Sequence, residues 1–277
     1  MEKLIQQYGR REANAIWRLV AETRFSLSQT DLLLGRMDAL SETQKREWEE
    51  ILERLHAGEP VQYVLGEAWF LSRSFHVTPD VLIPRPETEE MVRLILQHRF
   101  PSQNPSGLDL CTGSGCIAVS LSLSGFAMTA TDVSKAALAV AEENAKRLKA
   151  DVRFVQEDLL AADVSSHGAS SWDLVVSNPP YVLERERAEM ESHVLDYEPS
   201  LALFVPDDSP LLFYEAIARM AKTALRPGGL LAVETNRAFA KDVAALFRES
   251  GFCDIKVYED QYNNPRFVFA TTPSSLC

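Results

Sequence analysis

Long apolar runs are missing from this chain of 277 residues: no stretch approaches the roughly 20 apolar residues that a membrane-spanning helix needs. The opening, Met1-Glu2-Lys3-Leu4-Ile5-Gln6-Gln7-Tyr8, has charges and glutamines where a signal peptide has an apolar core. Cysteine is scarce. Cys111, Cys116, Cys253 and Cys277 contain no Cys-x-x-Cys pair, which argues against a disulfide framework and for reduced thiols in a cytoplasm. The five histidines, His56, His76, His98, His167 and His193, lack metal-ligand spacing, so no metal is assigned. Basic charge is short as well: 28 Lys and Arg against 40 Asp and Glu leave a formal charge of -12, which disfavours nucleic acid as the main partner. Gly 12 and Pro 14 are too few for a collagen-like or disordered chain. What remains is an ordinary globular composition, 46% hydrophobic and 25% charged, long enough for two domains.

Up to about Gly66 the apolar residues fall at helical spacing: Ile5, Tyr8, Ile16, Leu19 and Val20, then Leu32 to Leu34, then Trp48, Ile51, Leu52 and Leu55. Several short helices are predicted. Ser41-Glu42-Thr43-Gln44 reads as a capping box, and Gly58 with Pro60 as a stop. This block holds 9 basic and 11 acidic residues, so most of the negative charge lies downstream. Trp69, Phe70, Phe75 and Val77 flank Ser72-Arg73-Ser74 in the manner of a hairpin. Next, Leu82-Ile83-Pro84-Arg85-Pro86-Glu87-Thr88-Glu89 predicts an extended entry to a helix reaching about Phe100. From Ser106, seven short apolar runs alternate with helical stretches, the rhythm of a mainly parallel sheet. Ser134 is expected to cap a helix through Lys149, and Arg226-Pro227-Gly228-Gly229 to close another; 271–277 reads as a frayed tail.

Chemistry concentrates after two of these strands. Leu108-Asp109-Leu110-Cys111-Thr112-Gly113-Ser114-Gly115-Cys116 lies between strand and helix, and its glycines let a ligand approach the backbone. Asp132, at the next strand end, is placed to accept both hydroxyls of a ribose. Cys111 breaks the Gly-x-Gly-x-x-Gly pattern of pyrophosphate cofactors, whereas S-adenosylmethionine needs no phosphate cradle. Glu157-Asp158-Leu159 offers an acceptor and an apolar side chain for an adenine, or is an ordinary acidic strand end. Asn178-Pro179-Pro180-Tyr181 follows a third strand as a stiff turn. A planar amide or amino nitrogen is a weak nucleophile; the Asn178 oxygen and the Pro179 or Pro180 carbonyl could accept its two N–H groups, with Tyr181 stacking on the plane. Glu184 to Glu191 reads as a solvated helix face or a partner contact, and Cys111 and Cys116 as core thiols without a histidine partner.

These motifs, with the helical block and Tyr197-Glu198-Pro199, resemble the S-adenosylmethionine-dependent amino methyltransferases, and within them the release-factor glutamine methyltransferases (PrmC/HemK). The resemblance spans nearly the whole chain. Asn-Pro-Pro-Tyr is shared with adenine methyltransferases, so the Ile-Pro-Arg-Pro-Glu-Thr-Glu segment and the helical block carry the specificity. It implies an α/β fold: a seven-stranded Rossmann-like class I methyltransferase domain (85–277), a β-hairpin linker (67–84) and a small helical substrate-recognition domain (1–66). It implies N5-methylation of the glutamine in the Gly-Gly-Gln loop of peptide-chain release factors, which modulates translation termination. Cys111, Thr112, Gly113, Ser114 and Gly115 would line the methionine part of the cofactor, Asp132 its ribose, Asp158 and Leu159 its adenine; Asn178 would touch both cofactor and substrate. Asn178, Pro179, Pro180 and Tyr181 would hold the glutamine, with Asn178, Pro180 and Tyr181 catalytic. Arg85 and Glu89 would be structural, and Phe70 would close over the cofactor. There are two departures: Cys111 stands where methyltransferases more widely have glycine, which argues against a left-handed backbone there, and Asn263 replaces a frequent glycine before Arg266.

Release factors are thus the expected partners of a cytoplasmic monomer that touches neither nucleic acid nor membrane directly. Two rivals stay open at this point. Adenine-N6 methylation presents the same amino nitrogen to Asn178, against the charge; a non-catalytic scaffold would have no use for the intact turn.

Overall fold

The computed structural model describes residues 2–163 and 167–274; Cys277 and the end of the predicted tail lie outside them. The chain divides into two compact units, Met1–Glu67 with Met190–Tyr197, and Ala68–Glu189 with Glu198–Cys277. In order come the helices α1 (Glu2–Phe25), α2 (Gln29–Leu33), α3 (Glu42–His56) and α4 (Val61–Leu65), then the strands β1 (Glu67–Phe70) and β2 (Arg73–His76). After α5 (Pro86–Gln97) the chain alternates through β3 (Ser106–Leu110), α6 (Cys116–Ser122), β4 (Ala127–Asp132), α7 (Lys135–Leu148), β5 (Val152–Gln156) and β6 (Trp172–Ser177). It continues with β7 (Val182–Leu183), α8 (Ser192–Tyr197), α9 (Ser200–Leu203), β8 (Phe204–Val205), α10 (Leu212–Ala224), β9 (Leu225–Glu234), α11 (Ala240–Glu249), β10 (Cys253–Glu259) and β11 (Pro265–Thr271).

In the first unit the helical periodicity builds a small core of Leu4, Ile16, Val20, Trp48, Ile51 and Leu55, with Trp17 edge-on to Trp48. Several short helices are present as expected, and α1 is itself broken into two helical segments at Gly9, whose φ of 74° and ψ of 159° suit glycine. Ser41 and Gln44 form the predicted capping box. Leu33 and Leu34 depart from the pattern: α2 is only 5 residues long, and they are 80% and 66% exposed. Tyr197 in α8 donates its hydroxyl to Ala57 O at 3.0 Å, tying the returning segment to the end of α3.

The second unit is a seven-stranded sheet in the order β10-β11-β9-β6-β3-β4-β5, with β11 antiparallel to both neighbours and the other pairings parallel. The central strands β3, β4, β6, β9 and β11 are buried on both faces, which accounts for their near-continuous apolar runs, while the edge strands β5 and β10 are largely half-buried or exposed. From β3 the chain winds outward to β5, then crosses back to β6 on the other side of β3. The carboxyl ends of β3 and β6 therefore flank the point where strand order reverses, the place where open α/β sheets bind ligands.

Several boundaries differ from the expectation. The hairpin turns at Leu71-Ser72, one residue early, with both in left-handed backbone (φ 48° and 61°); Glu89 Oε1 pins it by accepting the Leu71 N–H at 2.9 Å. α5 ends at Gln97 rather than near Phe100. α10 stops at Ala224, and Arg226 to Gly229 bulge within β9, where the pairing with β6 jumps from Trp172↔Leu225 to Leu174↔Leu230. The first residues of the predicted tail belong to the fold: Thr271 lies in β11, and Thr272 accepts the Gly229 N–H and donates to Arg226 O. No helix among the described residues is long and apolar enough to cross a membrane.

Candidate active site

The loop after β3 takes its shape from backbone that few residues adopt. Cys111, Gly113 and Gly115 have φ of 61°, 54° and 78°. The cysteine-for-glycine departure therefore does not prevent a left-handed conformation at position 111, contrary to expectation; a thiol-bearing Cβ sits there at a cost of about 1 kcal/mol, set by the turn around it. Thr112 N donates to Thr131 O at 2.9 Å and its hydroxyl to Asp109 Oδ2 at 2.6 Å. Gly115 is required for close approach as well: a Cβ there would lie 3.0 Å from the Cβ of Ala141 on α7. Asn144, fully buried on α7, donates to Ser114 O and to His76 O and accepts the His76 N–H, joining loop, helix and hairpin. Burial pushes Asp109 up to about 7 against its bond from Thr112, with Asp132 adding to the rise. Loss of solvation and the Asp132 and Asp109 carboxylates push the Cys111 thiol well up, so it stays protonated and is no nucleophile.

Asp132 lies across from this loop at the end of β4. Its two oxygens accept the N–H groups of Gly113 and Ser134 at 2.9 Å each, and its pKa is raised by partial burial despite them. One cleft brings together Cys111, Thr112, Gly113, Ser114, Asp132, Asp158, Leu159, Asn178 and Pro180. Gly115, Pro179 and Tyr181 do not line it. Phe70 does not either: it is fully buried and edge-on to Phe75 in the sheet core, so it packs the fold rather than closing over a ligand. Thr88, Val81, Leu82, Leu201 and Phe213 join the walls; of these Leu82 and Thr88 belonged to a motif singled out in the sequence, neither as a ligand contact. Among the described residues lining the cleft the one cation is Arg85, and it is paired with Glu198. Asp132, Glu157 and Asp158 face the cleft instead. Carboxylates for hydroxyl and amino groups, apolar walls and no free cation suit an adenosyl group carrying positive charge and no phosphate.

The turn after β6 is fixed from behind. Ser177 Oγ donates to Leu110 O at 2.7 Å, clamping β6 to β3. Asn178 Nδ2 donates to Thr88 Oγ1 at 3.0 Å, and Thr88 Oγ1 donates to Glu234 Oε2 at 2.7 Å. The Tyr181 hydroxyl donates to Glu234 Oε1 at 3.0 Å, so this ring is held in the core beside the turn. Burial raises Glu234 against the hydrogen bonds from Thr88 and Tyr181, and raises Tyr181, with the Glu234 charge adding to the effect. Glu234 carried no signal in the sequence: it is the last residue of an apolar strand, and its partner Thr88 is 146 residues away. The extended entry to α5 is strapped down by Glu198, buried, which pairs with Arg85 and accepts the Ile83 N–H at 3.3 Å. The Glu184–Glu191 segment is mixed: Glu184 pairs with Arg187 at the surface, while Glu186 turns inward to Leu183 N and Asn236 Nδ2. Asn263 is left-handed (φ 61°) in the loop where Asp260 receives Arg266 Nε, a conformation asparagine tolerates. Among the described residues no three His, Cys, Asp or Glu gather as metal ligands.

Residues 1–66 match the family model for the PrmC N-terminal domain and 89–195 that for the methyltransferase small domain. A release factor glutamine methyltransferase of Bacteroides thetaiotaomicron is 42% identical over 95% of this chain and 94% of its own length. That of Flavobacterium psychrophilum is 36% identical over 97% and 95%. Among solved structures, a methyltransferase of Pyrococcus furiosus covers 73% of this chain and 90% of its own at 17% identity with a TM-score of 0.53. The T. thermophilus 16S rRNA N2 G1207 methyltransferase, solved with AdoMet and guanosine, covers 74% and 49% at 17% identity, TM-score 0.53. These two establish the class I methyltransferase fold alone, whereas identity of 42% along nearly the entire length goes further: the chain belongs to the S-adenosylmethionine-dependent release factor glutamine methyltransferases.

Proposed function

We propose that this enzyme transfers a methyl group from S-adenosylmethionine to the side-chain amide nitrogen (N5) of the glutamine in the Gly-Gly-Gln loop of peptide-chain release factors. The observation that carries this reading is the Asn178 amide: Thr88 takes its NH2 group, and among the described residues its Oδ1, at the cleft, has no protein partner. With the Pro179 or Pro180 carbonyl, of which Pro180 lines the cleft, this unpartnered oxygen would make an acceptor pair for a flat NH2 donor. Bound S-adenosylmethionine supplies an activated methyl group on cationic sulfur. Cys111 to Gly115 hold its methionine part, Asp132 its ribose hydroxyls, and Asp158 and Leu159 its adenine. Asn178, Pro179, Pro180 and Tyr181 orient the glutamine amide, Tyr181 from behind the turn through its bond to Glu234 rather than from the wall of the cleft. S-adenosylmethionine held there would supply its methyl carbon to the amide nitrogen and leave as the neutral thioether, and the N–H proton would pass to water once the nitrogen is tetrahedral and acidic. No general base is needed before transfer; positioning does the work. Residues 1–66 act as the recognition domain for the body of the release factor, 67–84 as the hairpin linker and 85–277 as the catalytic domain. The enzyme works as a cytoplasmic monomer without direct contact to nucleic acid or membrane.

The test is labelled-cofactor transfer to a release factor, duplex DNA and RNA side by side, with the modified peptide located by mass spectrometry. Label is expected on the release-factor glutamine alone; label in either nucleic acid and none in protein overturns the reading. Asn178→Ala is expected to lower transfer at least about 100-fold while leaving cofactor affinity within about threefold.

A further inference from the structure

We infer that Thr88 and Glu234 are positioning residues that set which way round the Asn178 amide faces the substrate. The inference rests on the glutamine-amide reading above and adds to it the origin of the orientation. An asparagine amide is nearly symmetric in shape, and its two ends differ only in hydrogen bonding. Rotated by half a turn, Asn178 would present NH2 donors to a substrate that itself offers NH2 donors, and the acceptor on which alignment depends would be gone.

The direction is imposed from the carboxylate outward. Glu234 is 1% exposed, and among the described residues no Lys, Arg or His pairs with it; such a group is costly to bury, so its retention asks for a purpose. Its two oxygens accept from Thr88 Oγ1 and Tyr181 Oη, at 2.7 and 3.0 Å. A hydroxyl has one proton. Having given it to Glu234, Thr88, itself 2% exposed, can only accept on its other side, so the side chain facing it must be a donor. Asn178 therefore turns Nδ2 to Thr88, at 3.0 Å, and Oδ1 away from it. The same carboxylate holds Tyr181, three residues further along the turn, so one group fixes both ends of Asn178 to Tyr181. Tyr214 donates to the Glu234 main-chain oxygen at 3.1 Å, which keeps the end of β9 in place.

A purely structural role, tying α5 to β9, makes different predictions from an orienting one. Thr88→Val keeps the shape and removes the acceptor; Thr88→Ser keeps the acceptor; Glu234→Gln replaces one of the two acceptor oxygens shared by Thr88 and Tyr181 with an NH2 group, which, turned to Thr88, frees the threonine proton to point at Asn178 and favours the wrong amide orientation. The measurement is single-turnover methyl transfer to a full-length release factor, with cofactor affinity by calorimetry on the same proteins. Thr88→Val is expected to lower the transfer rate about 30-fold, with cofactor affinity and the release-factor half-saturation each within about threefold, and Thr88→Ser to recover most of the loss. Glu234→Gln is expected to match or exceed the Thr88→Val loss. In the Asn178→Ala background, neither Thr88→Val nor Glu234→Gln should slow transfer further, because the effect runs through Asn178. Undiminished transfer in Thr88→Val, or a loss carried in full onto Asn178→Ala, overturns the inference. If Thr88→Val no longer binds cofactor, Glu234→Gln measured in both backgrounds decides by the same criterion. A wild-type enzyme that transfers nothing to the release factor sinks the parent reading and this inference with it, whereas an active wild type with additive losses sinks the inference alone.

Discussion

Asp109 pays for its position in the glycine loop. The carboxyl is fully buried, its Oδ1 has no hydrogen-bond partner, and burial raises it from 3.8 to about 7. A carboxyl with a folded pKa above its unfolded value contributes stability that is fully present below about 4 and is lost as pH rises through about 7. Relative to Asp109→Asn, the wild type should therefore lose about 2–3 kcal/mol between pH 5 and pH 8. Denaturant unfolding of both proteins at the two pH values measures it, since the other carboxylates cancel in the difference; a constant gap would mean that Asp109 titrates normally. The same residue shows where reading a sequence stops. Asp109 stood in a recognisable motif and its burial followed from the strand, but its lone oxygen depends on packing. Cys111 likewise looked unsuited to a left-handed turn, and the loop imposes one on it nonetheless (φ 61°).

Asn144 performs at the level of elements what the network behind Asn178 performs at the level of atoms. From the middle of α7 it makes three hydrogen bonds, two to the backbone of His76 at the end of β2 and one to Ser114 O in the glycine loop. Asn144→Ala would remove its bonds to the part-buried His76 N–H and His76 O and to the buried Ser114 O, and of these carbonyls Ser114 O is shut off from water, a loss of about 2–4 kcal/mol. Because one of those carbonyls belongs to the loop proposed to hold S-adenosylmethionine, affinity for it should fall together with stability. Thermal or denaturant unfolding and calorimetry on the one variant check both; a stability loss with unchanged affinity would separate the hairpin from the site. The hairpin itself was legible from its aromatic and β-branched residues, and so were α3, α7 and the strands, because each is encoded by neighbours in sequence. The turn at Leu71-Ser72 was not, since nothing in those two residue types asks for positive φ; Glu89, eighteen residues on, stabilises it. Thr88 with Glu234 failed to announce itself for the same reason at longer range: the pairing exists only once α5 and β9 are side by side in the sheet unit.

On the scale of the whole molecule, charge and architecture divide the labour. The formal -12 is carried mostly by residues 67–277, which hold the cleft proposed for a cationic cofactor, while 1–66 is close to balanced with 9 basic and 11 acidic residues. A Gly-Gly-Gln loop is small, flexible and short of side chains, so it offers few contacts against the entropy of fixing it. Selectivity for a release factor over any exposed glutamine then has to come from contacts made outside the cleft, and the helical unit is the part of the chain with no other assigned task. Removing 1–66 should lower kcat/KM on a full-length release factor at least about tenfold more than on a short Gly-Gly-Gln peptide. The peptide serves as the internal control: 190–197 belongs to the helical unit and loses its partners, including the Ala57 carbonyl that Tyr197 holds, and any general damage from that falls on both substrates alike. Steady-state kinetics on the two substrates with the full chain and the shortened one give the ratio. Equal losses on both would mean that 1–66 supports the fold of the catalytic unit and does not read the partner.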